Sequence, residues 1–193
     1  MSAFLLSTAV IFVAELGDKS QLLALTFATR YRARDVLIGI TVATALVHLA
    51  SVGIGAAIGS ALVGVQWIMS FAAGAAFLGF GLWTLRGDEL SDRERDKVHR
   101  SSGAAIVAVA VAFFLAELGD KTMLATITLA TQEQWFGTWV GSTLGMVAAD
   151  ALAIAGGALI GRKLSDRVVR IGAAAAFFVF GVLLIVQALG QRP

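Results

Sequence analysis

"AELGDKS", residues 14–20, sets Glu15, Asp18 and Lys19 between two largely apolar runs, Phe4 to Ala14 and Leu22 to Ala28. "AELGDKT", residues 116–122, repeats the pattern in an equally apolar setting. Charged groups are costly at membrane depth, and they persist there where they pair or perform a function. The reading of this stretch depends on whether its surroundings are a membrane.

Composition answers that. The 193 residues are 58% hydrophobic and 15% charged, with a mean hydropathy of +0.84. These values lie outside ordinary soluble composition. Stretches near the roughly 20 apolar residues that cross a bilayer recur along the chain. Six spans are expected, at 3–29, 36–62, 66–86, 103–131, 137–161 and 168–190. The expected fold is therefore an all-α polytopic membrane protein. The first segment lacks a basic start, and its charged cluster falls where a cleavage region would lie, so it reads as a retained span. The absence of Cys excludes disulfides, thiolate metal sites and thiol nucleophiles. The only proline is Pro193, so the 21 glycines must supply close helix packing and any helix breaks.

Basic residues lie in short loops and read as topology signals rather than a nucleic-acid surface, despite an isoelectric point near 9.4. Arg30, Arg32 and Arg34 follow the first span; Arg86, Arg93, Arg95, Lys97 and Arg100 follow the third; Arg162, Lys163, Arg167 and Arg170 follow the fifth. The loops after spans two and four contain no Lys or Arg. The positive-inside rule makes the basic side cytoplasmic and leaves both termini outside. Trp67, Trp135 and Trp139 would mark the outer interface and Trp83 the inner one. The expected location is a bacterial-type plasma (inner) membrane.

A shift of 102 residues, without gaps, superposes Glu15 on Glu117, Asp18 on Asp120, Gly39 on Gly141, and Gly55 and Gly59 on Gly157 and Gly161. The chain divides into a three-helix repeat over 1–86, a charged cytoplasmic linker over 87–102 and a second three-helix repeat over 103–193. Three is odd, so the second copy enters the membrane from the opposite side. This is a 3+3 inverted repeat, an architecture in which substrate sites lie at the midplane between repeats.

On a helix, Glu15 and Asp18 share a face, as do Glu117 and Asp120. Gly17 and Gly119 mark points where the helix can loosen and expose carbonyls; Ser20 and Thr122 add hydroxyls. This all-oxygen set suits Ca²⁺, Mn²⁺ or Mg²⁺. Four carboxylates and two lysines, Lys19 and Lys121, sum to −2, the charge that one divalent cation offsets. Without it, repulsion and desolvation favour proton uptake by the same groups. Alternatively, Glu15 pairs with Lys19 and Glu117 with Lys121 at i,i+4, purely to hold the bundle, which would leave Asp18 and Asp120 without partners. His48 and Asp150 occupy equivalent positions under the same shift. They are candidates for a proton path or an outer ligand, with hydrogen-bonded packing favoured for His48 and function for Asp150. Gln21, Thr26 and Thr128 are pathway candidates, and Met123 reads as packing.

The twin motifs "ELGDKS" (15–20) and "ELGDKT" (117–122), each opening a three-span half, resemble the GDT-one/MneA-type family of calcium/manganese transporters, and the resemblance covers essentially the whole chain. It implies export of Mn²⁺, Ca²⁺ or both from the cytosol in exchange for protons. It also implies a functional set of Glu15, Gly17, Asp18, Lys19 and Ser20 with Glu117, Gly119, Asp120, Lys121 and Thr122. No resident cofactor and no enzymatic activity are expected; the cations and protons are cargo. A proton-uncoupled channel or uniporter, a small amino-acid exporter and an intramembrane metal-dependent enzyme are the competing readings. The last has no Ser–His pair, HExxH motif or intramembrane arginine to support it. Homo-oligomer formation is left open by the sequence.

Overall fold

A computed structural model describes residues 2–62, 66–86, 104–159 and 166–190. The described residues form eight helices: α1 (Ala3–Glu15), α2 (Lys19–Ala28), α3 (Ala33–Ala61), α4 (Gln66–Arg86), α5 (Ala105–Glu117), α6 (Lys121–Ala130), α7 (Trp135–Leu159) and α8 (Asp166–Gly190). No strand occurs among them. The linker expected at 87–102, the basic residues Arg162 and Lys163, and Arg192 lie outside the described residues.

Four helical stretches are long and apolar enough to cross a membrane: Ala33–Ala61, Trp67–Arg86, Trp135–Gly156 and Arg170–Gly190. The stretches expected as continuous spans at 3–29 and 103–131 are instead each divided into two short helices. The division falls at the motifs. Leu16 has φ −62° and ψ 120°, Gly17 has φ 74°, and the Asp18 amide donates to the Glu15 carbonyl at 3.1 Å. These are the features of a type II turn, whose third position requires positive φ and therefore glycine. Leu118 (φ −63°, ψ 115°), Gly119 (φ 78°) and the Asp120 amide to the Glu117 carbonyl at 3.1 Å repeat the turn. Glu-Leu-Gly-Asp is thus a helix break, and Glu15 and Asp18 do not share one helix face.

Close backbone approaches fix which helices run together. A Cβ on Gly39 would meet Val109 and the Ile106 carbonyl, one on Gly55 the Ile127 carbonyl, and one on Gly59 the Thr131 carbonyl. α3 therefore runs in the same direction as α5 and α6. On α7, Gly137 and Gly141 approach Phe4, and Gly145 approaches Thr8 and Phe12, so α7 runs with α1. By contrast, Gly74 meets Gly181 and Ile185 while Gly81 meets Phe178, so α4 and α8 are antiparallel.

Two apolar cores result. One joins Leu23, Phe27, Val36, Ile40, Val109 and Phe113; the other joins Val10, Ile11, Ala125, Leu129, Phe77 and Phe177. Residues on α1 and α2 in one core correspond, under the 102-residue shift, to residues on α5 and α6 in the other. Large apolar side chains such as Leu46, Leu82, Val107 and Val179 are turned outward and exposed. Such a surface suits hydrocarbon rather than water.

Candidate cation site at the two helix breaks

Each break delivers its polar groups inward. Glu15 closes α1 and Asp18 is the N-cap of α2, yet the Asp18 side chain makes no capping bond. Its Oδ2 instead accepts from the Ser20 hydroxyl at 3.0 Å, and the same hydroxyl contacts Glu15 Oε1. In the second motif Thr122 donates to Glu117 Oε2 at 2.9 Å. Glu15, Asp18, Ser20, Glu117, Asp120, Lys121 and Thr122 are all buried. Gly17 and Gly119 lie at the exposed outer edge of the turns.

The lysines cross between motifs. Lys121 Nζ lies 2.5 Å from Asp18 Oδ1, and Lys19 Nζ lies 3.3 Å from Asp120 Oδ1. The i,i+4 pairing of each lysine with its own glutamate is therefore replaced. Its physical reason is the break: with the helix interrupted after Glu15, Lys19 begins a new helix and its stem is free to reach the other half. Asp18 and Asp120, the residues that pairing would have left alone, are the ones the lysines hold.

Several buried oxygens have no hydrogen-bond partner among the described residues: Glu15 Oε2, Glu117 Oε1, Asp120 Oδ2 and both oxygens of Asp150. Asp150 lies within electrostatic reach of Asp18, Glu15 and Glu117. Among the described residues no three Asp, Glu or His groups converge closely enough to hold one metal ion. The four motif carboxylates thus do not form one assembled cage here. The ammonium groups of Lys19 and Lys121 stand beside two of them instead. His48 is buried, and among the described residues neither ring nitrogen has a hydrogen-bond partner, so the hydrogen-bonded packing expected for it is not seen there.

Two contacts escaped the sequence reading. Gln21 accepts from the Gly17 amide at 2.9 Å and donates to the Ala149 carbonyl at 3.0 Å, bracing the first turn against α7 beside Asp150. Met123, its equivalent, places its sulfur 3.1 Å from the Gly119 amide. The shared position within the repeat was the available signal. Thr26 and Thr128 bond carbonyls one turn back, at 2.7 and 2.8 Å, as hydroxyls on membrane helices do.

Chemically, the arrangement offers buried hard oxygens at the ends of interrupted helices, where unwound backbone and half-helix termini also favour ions. Ser20 has a single hydroxyl hydrogen for two carboxyl oxygens. Its hydroxyl therefore links Glu15 and Asp18 across the first break.

Comparison with known proteins identifies the family. The family model for the GDT1 divalent cation/proton antiporter matches residues 3–92 and 105–192. A Vibrio cholerae protein described as a candidate manganese exporter is 34% identical over 172 residues, covering 86% of this chain and 80% of its own. A GDT1-like protein of Synechocystis is 31% identical over 202 residues, covering 95% and 96%. A chloroplastic GDT1-like protein of Oryza sativa is 32% identical over 208 residues, covering 94% of this chain and 60% of its own. No solved structure matches. The chain belongs to the GDT1 family of divalent cation/proton antiporters, which are transporters and not enzymes.

Proposed function

We propose that this chain exports Mn²⁺, Ca²⁺ or both from the cytosol across a bacterial inner membrane in exchange for protons. Glu15, Asp18, Glu117 and Asp120 bind the ion, with Ser20 and Thr122 supporting them and Asp150 as an outer carboxylate. The observation that carries the reading is the crossed pairing of the two motifs, which brings both helix breaks to one buried locus. The relative described as a candidate manganese exporter favours Mn²⁺ as cargo.

The transport architecture is a 3+3 inverted repeat, residues 1–86 and 103–193, with 87–102 as the cytoplasmic linker and both termini outside. α1 with α2, and α5 with α6, each act as one interrupted span. A 13-residue helix rises about 20 Å, short of the roughly 30 Å hydrocarbon core. The parallel runs of α3 with α5–α6 and of α7 with α1, and the antiparallel α4 and α8, support opposite orientation of the halves.

The test is transport in proteoliposomes under an imposed pH gradient. Mn²⁺ or Ca²⁺ should move against the proton flux, and Asp18→Asn and Asp120→Asn should abolish it while eluting as folded protein. Transport persisting in both variants would remove these residues from the site. Metal flux with no change in lumenal pH would identify a uniporter.

A further inference from the structure

We infer that Lys19 and Lys121 are built-in competitors of the transported cation: each ammonium holds an aspartate oxygen of the opposite motif, and a cation that takes that oxygen releases the contact between motifs. The inference rests on the site reading above.

The placement of the lysines is informative. Each opens a half-helix directly after the N-cap aspartate. The helix dipole there favours anions, so an ammonium gains nothing from its own helix. Its role lies in what it reaches. The two pairs are one contact seen twice, since the 102-residue shift carries Lys19 onto Lys121 and Asp18 onto Asp120. A metal draws on the same carboxylate oxygens, and two cations on one carboxylate compete for its charge and repel each other. Binding therefore weakens the cross-motif contact, while the lysines stay charged and move.

The two pairs are unequal. Lys121–Asp18 is 2.5 Å long with both side chains at most 2% exposed, whereas Lys19–Asp120 is 3.3 Å long with Lys19 22% exposed. Both Asp18 oxygens are engaged, by Lys121 and Ser20. Asp120 Oδ2 and Glu117 Oε1, in the same motif, have no hydrogen-bond partner among the described residues. An arriving cation thus meets the Glu117/Asp120 half first and displaces the looser lysine, and the Lys121–Asp18 contact yields last. Both lysines act on the ion through the aspartates, as positioning residues.

The experiment is Mn²⁺ titration of the purified full chain in lipid nanodiscs, reading free Mn²⁺ by electron paramagnetic resonance, beside transport turnover. Lys121→Gln should lower the Kd for Mn²⁺ about tenfold, the scale of a lost charge-assisted competitor, while slowing turnover. Lys19→Gln should lower it less, and Lys121→Arg should stay near the parent value. A purely structural pair would instead give weaker or unchanged binding in folded Lys121→Gln, and that result overturns the inference. If Lys121→Gln does not fold, the half-buried Lys19→Gln decides: an unchanged or higher Kd overturns the inference. A parent chain that binds neither Mn²⁺ nor competing Ca²⁺ overturns the site reading itself, an outcome distinct from parent binding that the lysine variants leave unimproved.

Discussion

The Thr44 hydroxyl donates to the Met146 sulfur across 3.3 Å, and the two residues stand 102 positions apart, the offset that also relates the two motifs. Contact between equivalent residues arises where an axis exchanging the halves passes between them. The crossed pairs Lys121–Asp18 and Lys19–Asp120 obey the same exchange. Under the proposed rocking of one half against the other, residues beside such an axis move least.

A cross-link should read that geometry directly, because the native chain has no cysteine. In Thr44→Cys/Met146→Cys, oxidation should join α3 to α7 and leave most Mn²⁺ transport intact. In Gln21→Cys/Ala149→Cys, which ties the first break to α7, oxidation should arrest transport reversibly. Mobility on non-reducing gels and flux before and after reduction check both. Arrest by the first cross-link would place the moving surface at Thr44.

The turn at the second break gives a cleaner case. Gly119 sits at φ 78°, and no described residue lies within 4 Å of where a Cβ would stand, so substitution there meets backbone strain rather than a clash with them. Left-handed conformation costs a residue with a Cβ about 1–2 kcal/mol, and asparagine less. Gly119→Ala should lower thermal stability in detergent by that amount, Gly119→Asn by less, and Gly119→Val by more. Equal melting temperatures for the three variants would contradict the turn geometry.

Glycines on α3 provide an internal control. A Cβ on Gly55 would clash with the Ile127 carbonyl, whereas one on Gly53 would meet open space among the described residues. Gly55→Ala must push α6 away and should reduce both folded yield and transport several-fold. Gly53→Ala should be neutral or stabilise by up to about 1 kcal/mol through helix propensity. The comparison is read from monodisperse yield and uptake at matched protein.

Much of the helix layout was legible because apolar length and glycine spacing are local properties. Gly17 and Gly119 were recognisable as weak points. The full break was missed because Leu16 and Leu118 let the apolar pattern read through as continuous helix, although glycine in the third place of Glu-Leu-Gly-Asp is a turn signal. The lysine partners were not legible: Lys19 and Glu15 stand at helical spacing, and only the break and the docking of the two halves send Lys19 to Asp120. The brace formed by Gln21 depends likewise on where α7 lies.

Ser20 is the residue by which the first half-site's chemistry can be dissected most gently. Its hydroxyl contacts both Glu15 and Asp18, and the second motif holds Thr122 at the same place with the corresponding bond to Glu117. A hydrogen bond to a charged group contributes about 1.5–3 kcal/mol. Ser20→Ala should therefore weaken Mn²⁺ binding by roughly tenfold or more. Ser20→Thr keeps the hydroxyl on the same carbon and should transport near the parent rate, provided its added methyl fits beside buried Leu23 and Ala24. Thr122→Ser makes the reciprocal change without added volume and should be tolerated for the same reason. If Ser20→Ala and Ser20→Thr behave alike, the effect is one of packing, and the hydroxyl has no part in holding the carboxylates.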